Sequence, residues 1–375
     1  VVDDTTVQLV TETPFAPLIS HLTHSGIGMQ SPTAIRRLGA EPVRIPVGTG
    51  PFRFKEWIRG DRFVMSRNDD YWGERAFIDD VAFRVIPDDG ARVLALEGGS
   101  VHVAVRVPPR EIERLERVPA VRVDVSPSVR TVYIAFNTQR PPFNDRRVRQ
   151  AFNYAISKAA IVRGVLFGTA RVSDAPISPN IQGYAPILTY EADLDRARSL
   201  LAEAGHGRGL TVTFHHPTGA DLRDAEIAAG IQALLRRVGV EARLTTMEWG
   251  TYVATLRGAR AIEDIQMSWL SWGTITGDAD YGLYPLFHSS QHPPQFNTAF
   301  YRNARVDALL DQGRSIVDQA ARNRLYREAM QIIMDDAPWL FLYSESQVTG
   351  VRAEVQGLVV HPIGRQMGHR AWIRR

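Results

Sequence analysis

Near Val132 the apolar residues stop alternating and begin to recur at helical spacing, and that change of period divides the chain. Upstream, RFVMS (Arg62 to Ser66), VAFRVI (Val81 to Ile86) and VRVDV (Val121 to Val125) alternate with turns and only short helical patterns, the signature of a strand-rich region. Downstream, NDRRVRQAFNYAISKAAIV sets Val148, Phe152, Ala155, Ile156 and Ala159 on one face. With Asn144 or Asp145 as N-cap and Gly168 beyond the end, it predicts one long amphipathic helix. AEIAAGIQALLRRV repeats the pattern through Ile227, Ile231, Leu234 and Val238 until Gly239, and VEARLTT then reads as a strand. Helices around Val306 to Val317 and Leu325 to Met334 precede Pro338 and the strand-like WLFLY, as expected of residues that stop a helix and favour extended backbone.

The expected organisation is a strand-rich lobe over residues 1–130, an α/β lobe over 131–347, and a tail, 348–375, too small to fold alone. If the tail rejoins the first lobe, the chain crosses twice, near Val129 to Asn137 and Phe341 to Thr349. Paired crossings make a hinge. At 375 residues, 44% hydrophobic and 23% charged, the chain can bury a real core in two or three domains. No fixed-period repeat or low-complexity segment is present.

Composition excludes several function classes. No window reaches the roughly 18 uninterrupted apolar residues of a membrane span, and VVDDTTVQLV lacks the basic and apolar regions of a secretory signal. With no cysteine there are no disulfides and no thiolate chemistry. Net charge is +3, and the basic residues, almost all Arg with Lys only at Lys55 and Lys158, are spread along the chain. A nucleic-acid partner is not expected, because such proteins concentrate basic residues on one face.

The motifs narrow the chemistry further. Gly48, Thr49 and Gly50 in PVGTGPFRF fail the dinucleotide spacing at Arg53, and the residues that follow favour a strand, so a glycine turn entering a hairpin is expected. No HExxH or GxSxG occurs, and enzyme activity is not expected. His215 and His216 are adjacent, so on a strand they point to opposite faces and do not share a metal. SWGTITGDADYGLYPLF, Ser271 to Phe287, fails as a calcium loop starting at Asp278, with Gly282 at the fifth position, Leu283 where glycine belongs and Ser289 in place of the glutamate. Asp278 or Asp280 instead suits the N-cap of a short helix, YGLYPLF. Ahead of it, Trp269 and Trp272 lie on opposite faces of a strand, so that one is buried while the other faces beyond the sheet. Trp272, Thr274 and Thr276 then sit at a strand end of the kind that gathers ligands.

PVGTGPFRFKEWIRGDRFVMSRNDDYWG, DDVAFRVIPDDGARVLALEGGSVHVA and VYIAFNTQRPPFNDRRVRQAFNYAISKAAIV resemble signatures of the family 5 extracellular solute-binding proteins, the peptide and nickel type that serve ABC importers. GDADYGLYPLF, YRNARVDALL and DAPWLFLY carry the likeness toward the end of the chain. The resemblance implies a two-lobed, periplasmic binding protein-like α/β fold that closes on a small peptide-like ligand and hands it to ABC permease subunits. A monomer without catalysis or cofactor is implied, located in the periplasm or held outside the cell by a lipid. It also implies that Val1 is preceded by further parts of an incomplete first lobe.

Within the family, the dipeptide-binding type carries an Asp three residues after the Trp272 position to hold the ligand amine; here Ile275 stands there, and its carboxylate-binding Arg falls near Thr218. GDADYGLYPLF with PPQFNTAFYRNARVD is closer to the glutathione-binding branch. The residues expected to meet a ligand are Trp272, Thr274, Thr276, Asp278 and Tyr281, with Arg223 as a cation for its carboxylate. His216 would be the mark of the rival reading, a nickel or metal-chelate carrier.

Overall fold

The computed structural model describes residues 1–38, 45–218, 220–221 and 223–374. They form two compact units, one of Val1–Thr23 with Val129–Glu345, the other of His24–Ser128 with Ser346–Arg375. In chain order, α1 (Leu18–Leu22) opens the larger unit. The smaller then takes α2 (Pro32–Leu38), β1 (Phe52–Ile58), β2 (Arg62–Arg67), β3 (Asp80–Arg84), α3 (Asp89–Glu97), β4 (Val103–Val105) and α4 (Ile112–Leu115). Strand β5 (Val121–Phe136) runs from the smaller unit into the larger. There follow α5 (Arg146–Ala155), α6 (Lys158–Gly164), β6 (Ala170–Val172), α7 (Leu194–Glu203), β7 (Leu210–Pro217), α8 (Asp224–Arg236) and β8 (Val240–Met247). Next come α9 (Trp249–Arg257), α10 (Ala261–Asp264), β9 (Met267–Gly273), α11 (Ala279–Phe287), α12 (Ala304–Ser315) and α13 (Gln319–Asp336). Strand β10 (Trp339–Arg352) leads back to the smaller unit.

In the smaller unit β1, β2 and β3 form an antiparallel meander, so the glycine run at Gly48 to Gly50 does enter a hairpin. Strand β4 pairs with residues 349–351 of β10. Val93 and Leu96 of α3, Leu115 of α4, Val121 and Val348 close a small core there. No strand forms in residues 1–17, β-branched residues there notwithstanding. That segment has no neighbouring strand to satisfy its backbone, and propensity alone does not make a sheet.

In the larger unit the strand order is β10-β5-β9-β7-β8. Strand β7 is parallel to β8 and β9, and β9 is antiparallel to β5. The Phe136 amide donates to Pro338 O at 2.9 Å, and Arg130 approaches Glu345 at 3.5 Å. Strand β10 therefore runs antiparallel to β5 and shares the direction of β7, β8 and β9. Val148, Ala151 and Phe152 of α5 and Ile227, Ile231 and Leu235 of α8 pack in one core with Ile134, Phe136, Val212, Phe214 and Trp269 of the sheet. Burying each such side chain is worth about 1.5–3 kcal/mol, which fixes the register of the strands beneath.

The single long helix expected from Asn144 onward is two helices. Asp145 caps the first by accepting from the Arg147 amide. Ile156 then turns extended, and the Ser157 hydroxyl accepts from the Ala160 amide to start the second. Lys158 explains how the break is tolerated. Its buried ammonium donates to the carbonyls of Asn153 and Tyr190, and Asn153 O is an oxygen that a continuous helix would have given to the amide four residues on. Burial pushes the Lys158 ammonium down to about 7.

Candidate functional site

The parallel strands of the larger unit end together. Strand β7 stops at Pro217, β8 at Met247 and β9 at Gly273. The segments leaving those ends form a rim outside the carboxyl termini of the strands, where open α/β sheets place ligands. Trp249 begins α9 there with 46% of its surface exposed. It follows Glu248, whose carboxylate caps the helix by accepting from the amides of Gly250 and Thr251.

Beyond β9 the chain folds tightly before α11. The Thr274 amide donates to Val129 O at 3.0 Å, and Gly277 takes a left-handed φ of 72°. Asp278 is the N-cap of α11, its Oδ1 accepting from the Asp280 amide at 2.9 Å. The same carboxylate, 1% exposed, is held in a bidentate pair by Arg322 at 2.8 and 3.0 Å. Arg322 donates its other N–H groups to Gly313 O, Gln319 Oε1 and the Tyr326 hydroxyl. All five donors of the fork are thus satisfied inside the protein.

Asp280 is equally buried and has different partners. His21 Nε2 lies 3.0 Å from its Oδ2, and Arg314 Nε forms an ion pair with its Oδ1 at 3.1 Å. The Arg314 guanidinium also lies 3.8 Å above the Tyr284 ring. The two aspartates of one short helix start are therefore engaged separately, Asp278 by Arg322 of α13 and Asp280 by Arg314 of α12 with His21 of α1 beside it. Neither is left to bind a metal or move a proton.

Aromatic side chains stay partly exposed at this end. Trp272 donates its indole N–H to Tyr281 O at 2.8 Å and packs on the Tyr281 ring at 5.3 Å and the Phe296 ring at 5.1 Å. Trp269, three residues earlier, is fully buried and donates its indole N–H to Asp221 at 2.7 Å. The opposite-face reading of the two tryptophans thus holds. Burial raises the Tyr281 phenol above its ordinary value, so the ring presents a neutral hydroxyl at physiological pH.

Comparison with known proteins bears on what such a rim serves. The model of the bacterial extracellular solute-binding proteins, family 5, matches residues 1–293. The chain belongs to that family. Among its relatives, the glutathione-binding protein GsiB of Pectobacterium atrosepticum is 34% identical over 367 residues, covering 96% of this chain and 71% of that protein. The Escherichia coli K12 protein of the same name is 33% identical over 370 residues, covering 96% of this chain and 71% of its own length. Among solved structures, the periplasmic binding protein DppA of Helicobacter pylori, in complex with the peptide STSA, superposes with a TM-score of 0.88 at 28% identity, over 99% of this chain and 74% of that one. The nickel-histidine-bound NikA of Staphylococcus aureus, at 20% identity and a TM-score of 0.81 over 97% of this chain and 76% of that one, shares the fold.

In this family 5 member the residues singled out from sequence separate into three groups. Trp272 and Tyr281 form the half-exposed aromatic surface described above. Thr274, Thr276 and Asp278 are buried in the turn beneath it; the Thr276 hydroxyl accepts from the Asp278 amide at 3.4 Å. They shape the rim, and Asp278 in particular has its carboxylate enclosed by Arg322 where a ligand contact was expected. Arg223 and His216 are engaged elsewhere. The Arg223 guanidinium pairs with Glu226, donates to Val165 O and lies over the Phe167 ring. His216 is buried at the end of β7, with Pro217 O at 3.0 Å from Nδ1 and the Thr246 hydroxyl at 3.0 Å from Nε2. Both ring nitrogens are occupied, and among the described residues no group of three His, Cys, Asp or Glu could hold a metal ion.

Sequence reasoning passed over Trp249, whose exposed indole begins α9. Trp249 carried a local signal, since MEWG ends a strand and starts a capped helix.

Proposed function

We propose that this chain is the substrate-binding component of an ABC importer for small peptides, with glutathione-like peptides as the favoured class, and that it delivers its ligand to the permease from the periplasm or from a lipid anchor outside the cell. The observation that carries the reading is the rim of the larger unit. It offers partly exposed aromatic surface from Trp272 and Tyr281, with Trp249 exposed at the start of α9, while its acidic pair is sealed in internal ion pairs. Aromatic faces supply contact area at low entropic cost. The 34% identity to a glutathione-binding protein supports the ligand class. We assign no catalytic step.

Thermal melting with glutathione, dipeptides to pentapeptides and nickel-histidine tests this. A ligand at about a hundred times its Kd stabilises by ~2.7 kcal/mol. At about 2–4 °C per kcal/mol for a unit of this size, glutathione or a short peptide should raise the Tm by roughly 5–10 °C. A shift confined to nickel-histidine would reverse the assignment.

A further inference from the structure

The aromatic surface at the end of β9 does not stop at Trp272. Phe296, on the segment between α11 and α12, meets the Trp272 ring edge to face at 5.1 Å and is 39% exposed. The guanidinium of Arg257, the last residue of α9, lies 4.8 Å from the centre of the Phe296 ring, and its Nε donates to Pro294 O at 2.6 Å. Tyr281, Trp272 and Phe296 therefore form a continuous row of rings with Trp272 in the middle.

The backbone imposes the exposure of Phe296. Asn297, the next residue, is fully buried: its amide donates to Gln291 O at 2.7 Å, its side-chain nitrogen donates to the carbonyls of His288 and Tyr301 at 3.1 and 2.9 Å, and its Oδ1 accepts from the Tyr301 amide at 3.1 Å. On the other side the Gln295 amide donates to His292 O at 3.0 Å. A phenyl ring is thus held at the surface by a segment anchored before and after it. A lone exposed phenylalanine needs no explanation, but one that prolongs an aromatic row marks a contact surface.

Such a row suits an apolar partner, whereas glutathione itself offers carboxylates, an ammonium, amides and a small thiol. We propose that Phe296, together with Trp272, forms a subsite for an apolar substituent on the ligand, and that the chain takes S-alkyl or S-aryl thioethers of glutathione in preference to glutathione. This rests on the glutathione-class reading above and names the members of that class that the aromatic row fits. A thioether keeps the charged and amide groups of glutathione and adds hydrocarbon at the sulfur alone, so recognition of the peptide and burial of the substituent are separable.

The test is calorimetric titration of the full chain and of Phe296→Ala and Phe296→Tyr with glutathione, S-methylglutathione, S-hexylglutathione and S-benzylglutathione. In the wild type, affinity should rise with the apolar surface of the substituent, S-benzylglutathione binding about 10-fold more tightly than glutathione, the gain from burying roughly 60 Å² of apolar surface. Phe296→Ala should reduce that ratio to below about threefold, and Phe296→Tyr, which keeps the ring, should preserve it. A wild-type affinity that is flat or falls along the series, or a ratio that survives in Phe296→Ala, would overturn the subsite and leave the glutathione-class reading standing. Equal losses for all the probes in Phe296→Ala would also overturn it, since Phe296 would then only brace Trp272. A wild-type chain that binds none of the probes would overturn the glutathione-class reading, and this inference with it.

Discussion

Replacing Asp278 by Asn separates the two tasks that the structure gives this side chain. As an N-cap, Asn serves about as well as Asp, so the bond from the Asp280 amide and its contribution of about 1 kcal/mol should survive. As the partner of Arg322, Asn fails. It leaves a guanidinium whose side chain is 4% exposed beside a neutral amide, and turns an N–H of that amide toward another donor. Removing one member of a buried pair typically costs about 3–5 kcal/mol because the orphaned charge stays in the interior. The other three bonds of Arg322, to Gly313, Gln319 and Tyr326, hold it there. Arg322→Met should cost a similar amount by stranding the carboxylate. In the double variant no uncompensated charge is buried, so the two effects should fall short of additivity by at least about 2 kcal/mol. Urea denaturation followed by circular dichroism reads this as a shift of the larger unit's midpoint at constant slope. By contrast the exposed pair of Glu113 and Arg117, at 82% and 74% side-chain exposure, should cost under about 1 kcal/mol to break. A cost below about 1 kcal/mol for Asp278→Asn, or simple additivity with Arg322→Met, would refute the claim that the pair is sealed.

Lys158 makes stability depend on pH in a defined direction. Its ammonium is held near 7 in the folded chain against 10.5 for the ordinary side chain, so between those values the unfolded chain binds the extra proton and stability rises with pH. At about 1.4 kcal/mol per unit the gain has an upper bound of roughly 5 kcal/mol. Wild type should therefore gain stability relative to Lys158→Met between pH 7 and pH 9.5 in matched denaturation curves; parallel profiles would contradict the assignment. Gly282→Ala sets two effects against each other. Alanine favours a helix interior by about 1 kcal/mol, but its Cβ would lie 2.6 Å from Ile177 Cγ2 and 2.8 Å from Thr274 Oγ1. Overpacking of that kind costs about 1–3 kcal/mol, so thermal melting should show a net loss, and a stabilised variant would mean that the turn beneath the rim yields.

Local physics was legible in the sequence and distant pairing was not. Asp278 could be read as a cap because a cap is satisfied by amides two or three residues away. Its ion-pair partner Arg322 lies 44 residues further on, and His21 is 259 residues from Asp280, separations at which no spacing rule applies. The helix stripes of α8 and the strand WLFLY came through because burial imposes a period. The break at Ile156 did not, since the apolar face runs through it and only Ser157 and Lys158 mark it. Arg223 was chosen as the cation for its place at a helix start. The fold turns it onto Glu226 and the Phe167 ring, a ring contact that no local spacing shows.

A crystal structure of the chain with bound glutathione tests the central claim most directly. The account predicts ligand density at the rim against Trp272 and Tyr281, with Asp278 still clasped by Arg322 and Asp280 by Arg314 and His21. Density away from the carboxyl ends of β7, β8 and β9, or an Asp278 released from Arg322 to meet the ligand, would contradict it.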